Sequence, residues 1–300
     1  MRFGVIILPQ YEWPEAVHYW RGAEELGFDH AWTYDHLSWR GLAGERWHAT
    51  IPTLTAAAMV TERIGLGTFV ASPNFRHPVP FAKDVATLDQ ISGGRLLLGV
   101  GSGGTGFDAF VLGQPEFTPR QRLARFVEFA EALDVLLRFE PSNRGEPESG
   151  GISFEGEWFT ASGARMVGEP AQRPRMPLHL AAEGPKSLDL VARLGDGWVT
   201  TGTTIDDTDA WWRRLAELSA RLDDACERQG RDPSSLDRIL SLDSEPRYSL
   251  ESAAAFEDAV GRAAELGFTD VVAHWPREHG LYAGDESVLD EVADLMPRLR

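Results

Sequence analysis

The stretch from Gly65 to Gly106 constrains this chain more than any other. It holds an apolar, β-prone segment (64–70), a loop with Pro73, Arg76 and Pro78, and a helical segment (79–90). A Gly93-Gly94 turn follows, then a second apolar segment (96–100) ending in Gly101, Gly103, Gly104 and Gly106. Two near-continuously apolar strands around one helix form a parallel strand–helix–strand unit covered on both faces. Such units bind ligands where their strands end, which is where the glycines stand.

The rest of the chain repeats the unit. Strands are predicted over 3–8, 30–34, 64–70, 96–100, 178–181, 197–201, 239–242 and 271–274. Helices are predicted over 14–26, 52–61, 79–90, 120–139, 185–194, 207–229, 252–266 and 288–300. Gly27, Gly195 and Gly267 each follow a helix and are expected to cap it in the left-handed conformation. Eight strands alternating with about eight helices predict an α/β fold, a (β/α)8 TIM barrel running as one domain over 1–300. A doubly wound open sheet needs a glycine-rich dinucleotide fingerprint after the first strand, and ILPQYEW contains none. The rhythm breaks once, between the fourth helix and the fifth strand. Residues 140–177 are rich in Gly, Pro and Ser around a predicted hairpin (ISFEGEWFTA), and this insertion is expected to cover the barrel mouth or make an oligomer contact.

Charge narrows the partners. A net charge of −17, from 46 acidic and 29 basic residues, disfavours nucleic acid and anionic membranes. No apolar run approaches the ~18 residues of a membrane span, and Met1-Arg2 leads into a strand without a targeting pattern, so a cytoplasmic protein is expected. The single cysteine, Cys226, rules out an internal disulfide and is expected at the surface or half-buried on a polar helix. The only lysines, Lys83 and Lys186, are placed within or opening helices, which argues against Schiff-base chemistry.

In a barrel, chemistry belongs to the segments just after each strand. Asp35-His36 is the strongest acid/base candidate, because imidazole titrates near neutrality and a carboxylate can fix its tautomer. The alternative is a histidine that caps a loop. His274 and Trp275 occupy another strand end, as functional groups or as a packed rim. His179 lies inside a strand and is expected to be a satisfied core residue, and His77 to be loop structure. A metal site is not expected, since the first strand lacks a His-x-His pair. The glycine turn is either a tight turn or a place where backbone meets a flat ring or phosphate without side-chain clash. Ala182, Glu183, Gly184 and Pro185 precede a helix whose N-terminus, with Lys186, offers an anion site. Trp32 and Trp198 are expected in the core, and Trp211 and Trp212 in packing or a subunit contact. Trp39, Trp47 and Trp275 fall in mouth loops, where they can stack on a planar ligand.

Four collinear segments, FDHAWTYDHL, RIGLGTFVASPNFRHPVPFAKDVATLDQISGGRLLLGVGSGG, PLHLAAEGPKSLDLVARLGDGWVTTG and FTDVVAHWPRE, carry a resemblance over almost the whole chain. The sequence resembles the bacterial luciferase-like superfamily of flavin- and deazaflavin-dependent oxidoreductases. The resemblance implies a (β/α)8 barrel with a long insertion, a homodimer and a small-molecule substrate. SPNFRHP and the pair AAEGP and GDGWVTTG look most like the branch using coenzyme F420. The FMN-dependent monooxygenase branch, which shares Asp35-His36 and the glycine turn, is the alternative. By this resemblance Asp35 contacts the deazaflavin and His36 acts at the reacting carbon. Phe69 and Val70 match a non-prolyl cis peptide behind the ring, while Gly101, Ser102 and Gly103 approach it. Ala182, Glu183, Gly184, Pro185 and Lys186 hold the phosphate tail with Thr200, Thr201 and Gly202. The resemblance places Trp39 with the substrate, and Trp47, Phe107, His274 and Trp275 are expected there from their places in mouth loops or at strand ends. The glucose-6-phosphate dehydrogenases of the F420 branch carry a catalytic glutamate where this chain has Gly104, so a sugar phosphate is not implied.

Overall fold

The computed structural model describes residues 1–140, 150–203 and 205–300; the first part of the predicted insertion (141–149) and Thr204 lie outside them. The elements in order are β1 (Arg2–Ile6), α1 (Trp13–Glu25), β2 (His30–Thr33), α2 (Thr50–Ala58), β3 (Gly65–Thr68), α3 (Pro78–Ile91), β4 (Leu96–Val100), α4 (Phe107–Phe110) and α5 (Pro119–Leu137). There follow β5 (Ile152–Glu155), β6 (Thr160–Ala164), β7 (Leu178–Ala181), α6 (Pro185–Leu194), β8 (Gly197–Thr200), α7 (Thr208–Arg228), β9 (Asp237–Ser241), α8 (Ala253–Glu265), β10 (Asp270–His274) and α9 (Val288–Leu299). Eight parallel strands close in the order β1-β10-β9-β8-β7-β4-β3-β2, the predicted barrel. No described helix is long and apolar enough to cross a membrane.

Large and absent side chains alternate across the barrel interior. A Cβ on Gly67 would lie 2.1 Å from the Trp32 ring, and one on Gly4 would lie 2.1 Å from the His30 ring. Register explains both, since Gly4 pairs with His30 and Trp32 pairs with Gly67 on adjacent strands. The Trp32 indole donates to His30 Nδ1 (2.6 Å), so His30 Nε2 carries the proton and donates to Asp270 Oδ1 (2.9 Å). Burial would raise the Asp270 carboxyl, but His30 and Arg2 hold it well below the usual carboxylate range. His179 is buried here too. It was expected to be satisfied. Burial would raise the Asp237 carboxyl, and its approach to Nε2 at 3.6 Å helps lower it, but among the described residues neither ring nitrogen has a partner within hydrogen-bond distance.

The helices cover the outside with one apolar face each. Along α7, Trp211, Leu215, Leu218, Leu222 and Cys226 recur at helical spacing and are buried. The cysteine is thus a core residue, where a surface or half-buried one was expected, because it continues this stripe. Trp211 and Trp212 are packing residues, their indoles donating to Thr201 O and Glu245 Oε1. Gly27 and Gly267 adopt the left-handed cap (φ 84° and 78°), but Gly195 does not. It leaves α6 in extended conformation, at φ −73° and ψ 151°.

The described part of the insertion forms the predicted hairpin, β5 against β6. Its described residues are clasped to the outer helices. Glu128 of α5 accepts from the amides of Trp158 and Phe159, the Phe159 ring meets His77 and Phe129, and Gln172 bonds Asp89 of α3.

Candidate active site

β2 ends in Thr33, and the next three side chains diverge. Asp35 is buried and takes two hydrogen bonds from Arg76, at 2.6 Å each. His36 points elsewhere, its Nδ1 lying 2.5 Å from Asp108 Oδ2. A carboxylate only accepts, so Nδ1 carries a proton, and in the neutral imidazole Nε2 keeps its lone pair. Oδ1 of Asp108 accepts from the Leu37 amide (3.0 Å), which pins the carboxylate. The carboxylate that fixes His36 is therefore Asp108, not its neighbour Asp35. Successive residues of an extended chain face opposite ways, so adjacency in sequence separates these two. Asp108 is buried on α4, a short helix not anticipated from the sequence. Its signal was an acidic residue four places after Gly104, on the segment leaving the glycine turn.

Tyr34, the residue before Asp35, was also missed. Its hydroxyl is 2.7 Å from His274 Nε2, and its ring lies 6.1 Å from the His36 ring and 5.1 Å from Trp39. His274 Nδ1 is 2.9 Å from Asp243 Oδ2, and the Tyr282 ring stacks on His274 at 3.6 Å. Burial pushes the Tyr34 phenol well above its usual range and that of Tyr282 up to about 12. His274 thus belongs to the mouth cluster, but beneath Tyr34. Trp275 does not join it. Its side chain turns outward onto α1, edge-on to Tyr19 at 5.5 Å, and its indole donates to Glu286. Trp39 and Trp47 stack on one another (6.2 Å, 21°) beside Tyr34, and Phe107 is half exposed on α4.

Across the mouth, the Phe69-Val70 peptide is cis, as the resemblance implied. Phe69 stacks with Tyr34, and both join an apolar cluster with Ile6, Leu8, Trp32 and Leu42. The glycine turn has a steric cause within the protein. A Cβ on Gly101 would come 2.8 Å from Val70, and one on Gly103, whose φ is +73°, would come 2.5 Å from Asn74. Asn74 donates to Gly104 O (3.3 Å) and accepts from Arg125 (2.5 Å), fixing the turn from behind. Gly104 is different: a Cβ there meets nothing within 4 Å.

At the β7 and β8 ends, α6 opens with Pro185 and exposed Lys186, for which no ion-pair partner appears among the described residues. Ala182 and Thr200 are buried, while Gly184 and Thr201 are exposed. Glu183 was assigned to the phosphate tail, but its carboxylate accepts from the Thr203 amide (3.0 Å) and from the Thr203 and Thr201 hydroxyls. It ties the β7 loop to the β8 loop, and a carboxylate repels the anion that Lys186 would attract.

Comparison with known proteins bears on this arrangement. A family model described as luciferase-like monooxygenase matches residues 1–283. A 5,10-methylenetetrahydromethanopterin reductase of Archaeoglobus fulgidus is 27% identical over 285 residues, covering 94% of this chain and 74% of that protein. An F420-dependent glucose-6-phosphate dehydrogenase of Beutenbergia cavernae is 30% identical over 324 residues, covering 93% of this chain and 91% of that protein. Among solved structures, an F420-dependent secondary alcohol dehydrogenase in complex with an F420-acetone adduct superposes with a TM-score of 0.80 over 100% of this chain and 99% of its own, at 19% identity.

Proposed function

We propose a function on the premise of family: the chain belongs to the luciferase-like monooxygenase family and is an oxidoreductase of that type. Within it, we infer hydride transfer between the deazaflavin coenzyme F420 and a small organic substrate. Named F420-dependent relatives support F420 over FMN. The observation that carries the reading is His36, held through Nδ1 by Asp108 with its side chain partly exposed. Such an imidazole is oriented for proton exchange with a substrate.

The residues suit a coenzyme with a flat ring and a phosphate tail. Phe69 and Val70 offer an apolar wall, and Gly101, Ser102 and Gly103 present backbone without bulk. The α6 N-terminus with Lys186, beside Ala182, Gly184, Pro185, Thr200, Thr201 and Gly202, suits the phosphate. Bound there, the coenzyme would supply or accept the hydride. Asp35 holds Arg76 on the loop that follows β3. Trp39, Trp47 and Phe107 form the rim a substrate would cross.

The FMN-dependent monooxygenase reading is supported by the description of the family and by the Asp35-His36 pair and glycine turn that branch shares. Reduced F420, followed by its absorbance against a panel of ketones, enones and quinones, tests the proposal. His36→Ala is expected to lower turnover at least about 10²-fold while F420 affinity stays within about threefold. Full turnover in that variant contradicts the role of His36.

A further inference from the structure

We propose that Tyr34 is a second proton-carrying group of this site, its hydroxyl held and recharged by His274 and Asp243. The inference rests on the hydride-transfer reading for its reaction and on geometry for its parts. Tyr34 stands between two Asp–His pairs, with its ring 6.1 Å from His36 on one side and 5.6 Å from His274 on the other. Only on the His274 side does the hydroxyl make a hydrogen bond to a histidine, at 2.7 Å.

The chain of bonds has a direction. Asp243 Oδ2 accepts from the His274 amide (2.5 Å) and from its Nδ1 (2.9 Å), while Oδ1 accepts from the Ser249 amide (2.9 Å). The carboxylate is thus fixed by two backbone donors, and both it and His274 are 1% exposed. His274 is held further by Tyr248, whose hydroxyl donates to its carbonyl oxygen (2.7 Å), and by Tyr282 stacked on its ring. An Asp–His–hydroxyl line of this kind lets imidazole exchange a proton with the hydroxyl while the carboxylate fixes its tautomer.

Two proton placements are open to it. With neutral imidazole, the Tyr34 O–H points at Nε2. With imidazolium, paired to the Asp243 carboxylate, Nε2–H points at the Tyr34 oxygen and frees the phenol proton from the His274 bond. When a substrate accepts hydride from the reduced deazaflavin, the Tyr34 O–H bond breaks and its proton goes to the substrate. The Nε2 proton replaces it, and imidazolium becomes imidazole. Oxidation of the substrate runs the same transfers backwards. Burial disfavours a free phenolate at Tyr34, so recharging by His274 is what lets the phenol act. The other ionisable groups facing Tyr34 are His36, Arg40 and Tyr282, whose hydroxyl is a second hydrogen-bond partner of the Tyr34 hydroxyl. Nothing of this requires an acid at position 104, where this chain has glycine.

The test uses the full chain carrying ¹⁵N-labelled histidine. Replacing Tyr34 by Phe is expected to move the His274 Nε2 resonance and to leave His36 in place. An unmoved His274 overturns the relay. A second arm follows oxidation of reduced F420 by menadione. There Tyr34→Phe is expected to lower kcat about 10²-fold, keep KM within about twofold and remove one limb of the pH profile. Unchanged kcat with both limbs intact also overturns it. A fluorotyrosine at position 34, which keeps the hydroxyl and its bond to His274, is expected to shift that limb to lower pH; an unshifted limb counts against the proposal. If the wild type oxidises no reduced F420 with any acceptor, the hydride-transfer reading fails, and the resonance measurement alone decides the relay.

Discussion

Single side chains at the mouth are set by what faces them, not by what adjoins them in sequence. Asp35 and His36 are adjacent, yet one holds Arg76 and the other holds Asp108. Asp108→Asn keeps the volume and lets the imidazole turn over to the wrong tautomer. The expected result is a fall in kcat of about 10²-fold with KM little changed, measured with reduced F420. Position 104 answers differently. Its φ is unexceptional and the space beside it is open, so Gly104→Glu is expected to change stability by less than about 0.5 kcal/mol in a urea titration. A larger loss would mean the turn needs glycine there. The pair Asp35-His36 marked the site in the sequence, but Asp108, Tyr34 and Asp243 are 72, 2 and 207 residues from His36 and meet it or His274 only through the barrel's closure.

Among the elements, β10 is tied to β1 and β2 at the end opposite the mouth. Asp270 starts β10 and binds Arg2 (2.7 Å) from β1 and His30 (2.9 Å) from β2. Its carboxyl is held below the unfolded value, so it stabilises the fold above about pH 4 and that contribution fades as pH falls through the depressed value. Asp270→Asn, which strands the buried His30, is expected to cost about 3 kcal/mol at pH 7 by urea unfolding. The difference from wild type should shrink as both are acidified; a constant gap from neutral pH to pH 2 would exclude this linkage. Element positions were readable because periodicity and punctuation agree, as in α5, where Thr118 and Gln121 form a reciprocal cap. The failures have local causes. Gly195 is not a left-handed cap because the chain leaves α6 already extended, and Trp275 faces outward because His274, one residue before it, faces in.

At the scale of the molecule, the alternation of eight apolar strands with helices left few architectures, and the barrel is the one formed. The insertion was visible as a break in rhythm, but its docking on α3 and α5 depends on pairs such as Glu128 with the Trp158 and Phe159 amides that no local pattern announces. Net charge of −17 coexists with a mouth whose nearest cations are divided. Arg76 and Arg277 are paired with Asp35 and Glu45 and Arg40 lies over the Trp39 ring, while Lys186 stands without an ion-pair partner among the described residues at the α6 start. Lys186→Ala is therefore expected to weaken binding of an anionic coenzyme by about tenfold and to flatten its salt dependence. The most direct test of the central claim is an equilibrium titration of the wild-type protein with F420 and with FMN, followed by fluorescence in the same buffer. F420 saturating the site at concentrations at least about tenfold below those FMN requires is the result expected here; saturation by FMN with no binding of F420 would contradict it.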